Sequence, residues 1–588
     1  MSASRSRAVA RFRAARDLLL LHRTDAVKAT EGFRWPELTE FNWALDWFDT
    51  VAAARPDQPA LRLIGAGGPG SDRVLTFAEL ARRSDRVAGW LRSAGVRRGD
   101  PLLVMLGNRA EVWETLLAAM KLGAIVIPTY TTATPAELAD RLRRGGVRHV
   151  VAEAGLTGRF AGVPGGWSGI AVGGGAGDGV PGGWRSYAES AGVPEGFEPD
   201  GPTAAGDPLF RYFTSGTTSQ PKMVEHTHVS YPVGHLSGMY WNGVTPGDIH
   251  LNISAPGWAK HAWSSFFVPW NAEATVVALD AADSTPERVL EVLRTRAVST
   301  FCAPPTVWRG LAAHGLGEAP PALREAVAAG EPLEPSLVEL VRERWGIDLR
   351  DGFGQTETTG QIGNPPGRAP RPGSMGVPLP GYRVVLLDPV TGREVPDGEP
   401  GEICLPLDPR PLGLMRGYVG DPERTEKAFA GGYYHSGDLA VRAPDGSLTH
   451  VARADDMFKA FDHRISPREL EEVLLSHPAV ADAAVVPIPD PVGLWAPKAY
   501  IVAGSGRPAD AEAEAETARL VFDLVRTALP PEKWVRAVEF TDVLPRTTSG
   551  KVRRAELRDR SAAGGGGTLH RIDGSGGAGT ERRAVSGR

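Results

Sequence analysis

The chain has only two cysteines, Cys302 and Cys404, in 588 residues. Two thiols cannot build a disulfide framework, a four-thiolate zinc site or an iron–sulfur cluster, and such scarcity suits a reducing, cytoplasmic setting. Long hydrophobic runs are missing too. A bilayer span needs about 20 consecutive apolar residues, whereas the best candidates are residues 18–21 and the stretch 116–128, which Lys121 interrupts. The basic N-terminal stretch with Arg5, Arg7, Arg11 and Arg13 reaches an apolar run too short for the core of a signal peptide. It is expected to form a surface helix leading into the fold. Neither sign of charge dominates: 65 Lys+Arg oppose 70 Asp+Glu, leaving −5, so there is no broad positive field for nucleic acid. No solenoid-type repeat is present.

What is abundant is glycine (71) and proline (49), which punctuate many short elements. The hydrophobic pattern predicts strands at 60–64, 101–106 and 124–129 alternating with helices at 77–93, 110–122 and 134–144. Continuous apolar runs such as 124–128 suit strands buried on both faces of a parallel sheet. The βα rhythm resumes with a strand at 298–303, a helix at 335–345 and a strand at 347–349. Between 384 and 448 the signals change to short strands and turns, which predicts an antiparallel subdomain. A smaller α+β unit follows, opened by Ser466, Pro467 and Glu469 as cap, first helical residue and capping-box partner. Its strands are expected at 483–487, 498–502 and 535–540, with a helix at 513–527. Residues beyond 560, rich in glycine, read as an end without a core of its own.

One segment imitates a dinucleotide fingerprint. Gly65-Ala66-Gly67-Gly68-Pro69-Gly70 fits G-x-G-x-x-G, but a helix must follow the last glycine, and here a second short apolar run follows, so it reads as a hairpin loop. The stronger segment is Thr214-Ser215-Gly216-Thr217-Thr218-Ser219-Gln220-Pro221-Lys222. It sets five hydroxyls, a glycine and a lysine in nine residues, able to wrap a phosphate chain with side-chain and backbone donors. The chain has only nine lysines, and a compact ammonium here reaches phosphate as a point donor in a way that arginine's rigid fork does not reproduce.

With this loop in view, the sequence resembles the adenylate-forming (AMP-binding) superfamily, and within it short- and medium-chain acyl-CoA synthetases. The other motifs follow in the family's order: Gly330-Glu331-Pro332; Asp351-Gly352-Phe353-Gly354-Gln355-Thr356-Glu357; Tyr434-His435-Ser436-Gly437-Asp438; Arg453-Ala454-Asp455-Asp456; and Pro545-Arg546-Thr547-Thr548-Ser549-Gly550-Lys551. The resemblance implies an α/β fold with a large N-terminal domain of doubly wound subdomains and a small β-barrel-like subdomain (1–453). A small mobile α+β domain (454–560) and a disordered tail (561–588) would follow. It implies an ATP-dependent acid–CoA ligase that uses ATP, Mg²⁺ and CoA. Residues 214–222 with 330–332 would form the nucleotide site, and Thr217 would assist catalysis there. Phe353 and its backbone would flank adenine, Thr356 would meet the phosphates, Glu357 would hold Mg²⁺, Asp438 would clamp the ribose with Arg453 beside it, and Asp455 would be the hinge. Lys551 would bridge the attacking carboxylate and the α-phosphate, where a cation lowers the charge repulsion of the attack.

The same resemblance assigns the acid pocket to Trp258, His261 and Trp263, with Thr358, Thr359 and Gly360 opposite, and the CoA approach to Lys459, Phe461, Asp462, His463 and Arg464. A plain aromatic core is the rival reading of the first group. Asp462 stands where the family usually has glycine beside the pantetheine arm, so a carrier-protein thiol or an amine is the alternative acceptor. A nucleotide-binding protein without turnover is a third reading, opposed by the presence of Lys222, Glu357 and Lys551.

Overall fold

The structure is a computed structural model of the whole chain. It describes every residue except 1–2, 66, 174–181, 215–220, 281–282, 455, 461–462, 491–493, 505–509, 547–551, 564–567, 573–577 and 582–588. Two large sheets carry the N-terminal part. In one, six parallel strands (Pro208–Thr214, Ile125–Pro128, Pro101–Met105, His149–Glu153, Ser168–Val172, Trp184–Ser186) are extended by antiparallel Lys222–Thr227 and Gly417–Tyr418. In the other, a parallel series from Leu349–Gln355 through Glu325–Ala329, Thr300–Ala303, Ile249–Asn252 and Thr275–Ala278 to Pro59–Leu63 has antiparallel strands at both edges.

Alternation along the strands explains the doubly wound form. Leu102 and Val104 enter the core shared by the two sheets, together with Leu91, Leu117 and Leu236 from the helices Phe77–Ser93, Ala110–Leu122 and His235–Asn242. Leu103, Met105 and Ile127 face the other way, under Leu138 and Leu142 of the helix Pro135–Gly145. A strand apolar on both faces is stable only when helices cover both. The second sheet buries Leu251, Val277 and Phe301 under Leu290, Trp308 and Val341 of three further helices.

Several helices stand where the sequence places them. Phe77–Ser93 starts with a Thr76–Glu79 capping box and Pro135–Gly145 with a Thr134–Glu137 box, so two orphan donors are satisfied locally in each. Ser466 also caps Pro467–Leu475, but Glu469 does not close the expected box. Its carboxylate takes the Lys533 ammonium at 2.6 and 2.9 Å instead. The glycine-rich decoy is the hairpin connection between the antiparallel strands Pro59–Leu63 and Arg73–Thr76.

Four strands, Val385–Leu387, Pro400–Pro406, Tyr433–Arg442 and Leu448–Arg453, make the antiparallel subdomain, with no described ladder joining the first to the last. The C-terminal part is a mixed sheet of Val480–Asp490, Leu494–Ala503 and Ala537–Phe540. It is covered on one face by Pro467–Leu475 and Ala511–Ala528 and on the other by Leu557 of Arg554–Ala562. Past residue 560, where glycine content suggested a structureless end, Leu569–Ile572 adds to this sheet beside Ala537–Phe540 and buries Ile488, Ala496 and Ala537 with Leu569.

The N-terminal helix Ala3–Leu21 is more than the surface helix expected. Phe12 is fully buried, stacked on Phe41 with centroids 5.5 Å apart and against Trp47 at 4.9 Å, and the Arg16 guanidinium pairs with buried Glu273. Apolar residues seven apart, Phe12 and Leu19, form the docked face. Phe12→Ala should therefore destabilise the large domain by about 3–5 kcal/mol, seen as a lowered melting temperature in thermal unfolding.

Candidate functional site

The hydroxyl-rich loop is the connection of a β-hairpin. Thr214 and Lys222 face each other as the last and first residues of adjacent antiparallel strands, so whatever the loop holds is presented at a strand end of the sheet, where open α/β sheets bind ligands. Ser215, Gly216, Thr217, Thr218, Ser219 and Gln220 lie outside the described residues. Arg144 fastens the Pro221 carbonyl at 2.8 Å. The Lys222 ammonium sits 5.3 Å from the centre of the Tyr418 ring. The Tyr418 hydroxyl in turn donates to Glu357 Oε1 at 2.9 Å, and burial, with Glu357 adding to it, pushes that phenol's pKa up. Lys222 and Glu357, predicted as a phosphate ligand and a metal ligand, thus share one aromatic partner.

Glu357 is 8% exposed, and its carbonyl accepts the Met415 N–H at 2.7 Å. The preceding carbonyl, Thr356 O, lies 2.6 Å from His226 Nε2, and His226 Nδ1 lies 2.9 Å from Ser230 Oγ. Burial lowers the His226 imidazole to about 4, so it is neutral: Nε2–H donates to the carbonyl and Nδ1 accepts from the serine hydroxyl. The acidic motif is therefore held at both sides by residues with no motif of their own.

Gln355 joins this segment to the antiparallel subdomain. Its amide nitrogen donates to Asp438 Oδ2 at 2.5 Å and to Ser436 O at 2.9 Å, while its amide oxygen accepts the Tyr434 hydroxyl at 2.7 Å. Asp438, 5% exposed, stands opposite Arg453 in the antiparallel register and takes its guanidinium at 2.8 Å. His450 Nε2 completes the clamp at 3.0 Å from Oδ1. Arg468 Nη1 donates to His450 Nδ1 at 2.9 Å, which leaves the proton of that ring on Nε2, directed at the carboxylate. Phe353 is half-buried, its ring 6.2 Å from that of His450. Asp351 lies in the buried half of its strand, accepts the Gly352 N–H at 2.9 Å, and is pushed up to about 8 by burial. Gly352 has no room for a side chain, because a Cβ there would lie 2.4 Å from Trp241.

Glu331 is held apart from this cluster, by the Thr306 hydroxyl at 2.7 and 2.8 Å and by Arg309 at 3.0 Å, and next to Gly330 the Ala329 carbonyl accepts the half-buried Lys260 ammonium at 3.0 Å. The predicted acid segment splits in three. Trp258 stacks on Tyr130 (4.9 Å, 7°). His261 is buried with Nε2 3.0 Å from Asn108 Oδ1 and its pKa lowered by burial to about 3. Trp263 is half-buried, with its ring beside His235 (6.2 Å, 20°) and Trp241 (5.9 Å). On the opposite side Thr359 has φ 58° and its hydroxyl bonds the Tyr382 hydroxyl at 2.7 Å and the Gly234 carbonyl at 3.2 Å, while the Gly360 carbonyl accepts from Ser237 at 2.8 Å. His235, His450, Tyr418 and His226 were missed by the sequence reading. None lies in a recognisable pattern, and each arrives through the pairing of distant elements.

Of the remaining assignments, Asp455, Phe461, Asp462 and Lys551 lie outside the described residues, as do the side chains of Lys459 and Arg464, whereas His463 is exposed on a two-stranded ladder. The neighbours of Lys551 are defined. Arg546 bridges Val552, and the Arg553 N–H donates to the Pro545 carbonyl at 2.8 Å. Arg554 pairs with Glu471 at 2.6 Å and with Asp456 at 3.3 Å, and Arg558 also reaches Asp456, at 3.6 Å.

This arrangement belongs to a known family. The model for "AMP-binding enzyme" matches residues 48–419 and that for "AMP-binding enzyme C-terminal domain" matches 469–551, and the chain belongs to that family. Its relatives include 4-hydroxybutyrate–CoA ligase 1 of Metallosphaera sedula, 38% identical over 529 residues (89% of this chain, 91% of that protein). Another is the mitochondrial acyl-coenzyme A synthetase ACSM3 of Mus musculus, 34% identical over 531 residues (88% and 90%). Among solved structures, the anthranilate CoA ligase AuaEII in complex with anthranoyl-AMP is similar with TM-score 0.78 and 28% identity over 90% of this chain and 98% of that one. The benzoate CoA ligase from Burkholderia xenovorans LB400 gives 0.73 and 27% over 88% and 100%. The chain is an AMP-forming acid–CoA ligase, and ATP and CoA are substrates of its family. Among the described residues no helix is long and apolar enough to cross a membrane.

Next to the ribose-motif aspartate, Glu402 accepts the Gly437 N–H and pairs with His435 Nδ1, both at 2.8 Å. Chiefly through that hydrogen bond, Glu402 raises the His435 pKa. The ion pair's stabilisation is complete below the ordinary imidazole value near 6.5 and is lost as pH climbs through the raised one. Melting temperatures measured from pH 6 to 9 should fall in the wild type as His435 deprotonates, and Glu402→Gln should lower the acid end and flatten that fall.

Proposed function

We propose that the cluster of Thr214, Lys222, Gln355, Thr356, Glu357, Asp438 and Arg453 is the nucleotide site and that it activates a short carboxylic acid as its adenylate. A carboxylate oxygen of the acid attacks the α-phosphorus of ATP and pyrophosphate leaves. The CoA thiol then attacks the acyl carbonyl and AMP leaves. The observation that supports this most directly is the Gln355–Asp438 hydrogen bond, which joins two motifs 83 residues apart and aligns a clamped carboxylate with the end of the 349–355 strand. In that position Asp438 accepts ribose hydroxyls, Phe353 packs against adenine, and the hydroxyl-rich loop with Lys222 meets the phosphates.

Glu357 fits Mg²⁺ by the chemistry of its donor: a buried carboxylate is a hard oxygen ligand. When bound, the ion would neutralise phosphate charge. Asp438 and Gln355 orient the sugar, Lys222 draws the phosphate chain to the hairpin, and Lys551 places its ammonium where charge develops between acid and α-phosphate. Asp455 is the hinge about which the C-terminal domain turns between the two half-reactions.

The relatives act, by their names, on 4-hydroxybutyrate, anthranilate and benzoate, and Trp258, Trp263 and Gly360 form the corresponding acid pocket here. A second reading, transfer to a carrier-protein thiol, is favoured by Asp462 in place of glycine. AMP release from MgATP with short, medium-chain and aromatic acids, each with and without CoA, separates the two. Turnover that requires CoA is expected, whereas adenylate formation with no response to CoA would leave the carrier reading. Lys551→Ala should lower adenylate formation by about 10²–10³-fold while largely sparing thioester formation from supplied acyl-adenylate. Equal loss of both, in paired half-reaction assays, would show that the lysine has another role.

A further inference from the structure

His235 is a buried polar side chain with no place in the nucleotide chemistry. It is 1% exposed, and neither ring nitrogen has a hydrogen-bond partner. Three aromatic rings surround the imidazole: Trp263 at 6.2 Å and 20°, Phe267 at 6.1 Å and 11°, and Tyr231 in a T-shaped contact at 4.4 Å. Beside Nδ1 the protein has glycine. A Cβ on Gly238 would stand 3.5 Å from Nδ1 and 3.2 Å from Val268, and a Cβ on Gly360, on the facing strand, would meet Gly238 Cα and Leu379 at 3.8 Å.

The same residues lie between the two predicted walls of the acid pocket. His235 opens its helix, the Gly234 carbonyl before it accepts from Thr359, and Ser237 after it bonds the Gly360 carbonyl. Thr359 is two residues beyond Glu357, and Trp263, which stacks on His235, is only half-buried although its neighbours are sealed. The site is thus aromatic, glycine-lined and close to the phosphate region, so it suits an acid of few carbons. We propose that the pocket takes a short acid with a hydroxyl group at its far end and that the edge of His235 is the residue that selects it.

This rests on the ligase reading above. The reasoning is one of complementarity. An uncharged imidazole presents one N–H donor and one lone-pair acceptor, and a hydroxyl answers both. A methyl group in the same place leaves both nitrogens buried and unpaired, and a site built to bond a substrate hydroxyl discriminates strongly against the analogue that lacks it. A second carboxylate would need a protonated ring, and burial holds His235 well below the ordinary imidazole value.

The test compares 4-hydroxybutyrate with pentanoate, which replaces the hydroxyl by a methyl of similar size, as kcat/KM for AMP release with CoA. The wild type is expected to favour the hydroxy acid by about a hundredfold. His235→Phe, which keeps the stacking but has no ring nitrogen, should erase most of that ratio through KM, whereas His235→Gln should keep part of it. Equal use of the two acids by the wild type, or a ratio unmoved in a folded His235→Phe protein, would overturn the proposal while leaving the ligase reading standing. Absence of AMP with every acid would overturn both. Should His235→Phe fail to fold, the wild-type ratio together with His235→Gln still decides.

Discussion

The Asp438 carboxylate is the point on which the site depends. It is nearly buried, and a buried carboxylate is tolerated only when donors replace the water it has lost. Gln355, His450 and Arg453 supply them. They come from two strands: Gln355 from the end of Leu349–Gln355 in the nine-stranded sheet, and His450 and Arg453 from the strand antiparallel to that of Asp438 itself. Satisfying one charge thereby holds the antiparallel subdomain against the large sheet and sets the floor of the proposed nucleotide site. Removing any single donor would leave the others paired with a less stable anion, so the effects of such changes are expected to be non-additive.

From that point two short chains of contacts run outward. One passes from Gln355 along its own strand to Thr356 and Glu357, which His226 and Tyr418 hold from opposite sides. Tyr418 then meets Lys222, so the acidic and basic ends of the expected phosphate region are kept near one another by a phenol ring. The other passes through His450 to Arg468, in the first turn of the helix that opens the C-terminal domain. That contact depends on one imidazole tautomer, so the ribose-motif aspartate is linked to the position of the small domain by hydrogen-bond polarity as well as by distance.

Much of this was legible in the sequence because it is local. The helices Phe77–Ser93, Ala110–Leu122 and Pro335–Trp345 end where their apolar period and caps end. Five motifs point to the proposed site, and they are readable because each is contiguous. The strand expected at 347–349 lies instead at Leu349–Gln355, running through Asp351-Gly352-Phe353-Gly354. In the structure those glycines extend the ladder because Gly352, like Gly363 on the partner strand, makes room for Trp241. His235, His450 and Tyr418 stayed invisible for a related reason: their roles come from register and stacking between elements far apart in sequence. The N-terminal helix looked peripheral because the partners of Phe12, at 41 and 47, lie beyond the reach of a pattern read along one helix.

The ion pairs at Asp456 have a mechanical consequence. Arg554 and Arg558 project from one helix onto the same carboxylate, and Arg554 is also anchored to buried Glu471. Three charged contacts in partly dry surroundings are little softened by salt, so the backbone at 456 and the helix that follows Lys551 form one stiff frame. If the proposed hinge at Asp455 turns, its change of torsion is transmitted as leverage: a small angle there becomes a long sweep at the far end of the domain, with little of the motion lost to slack in the frame.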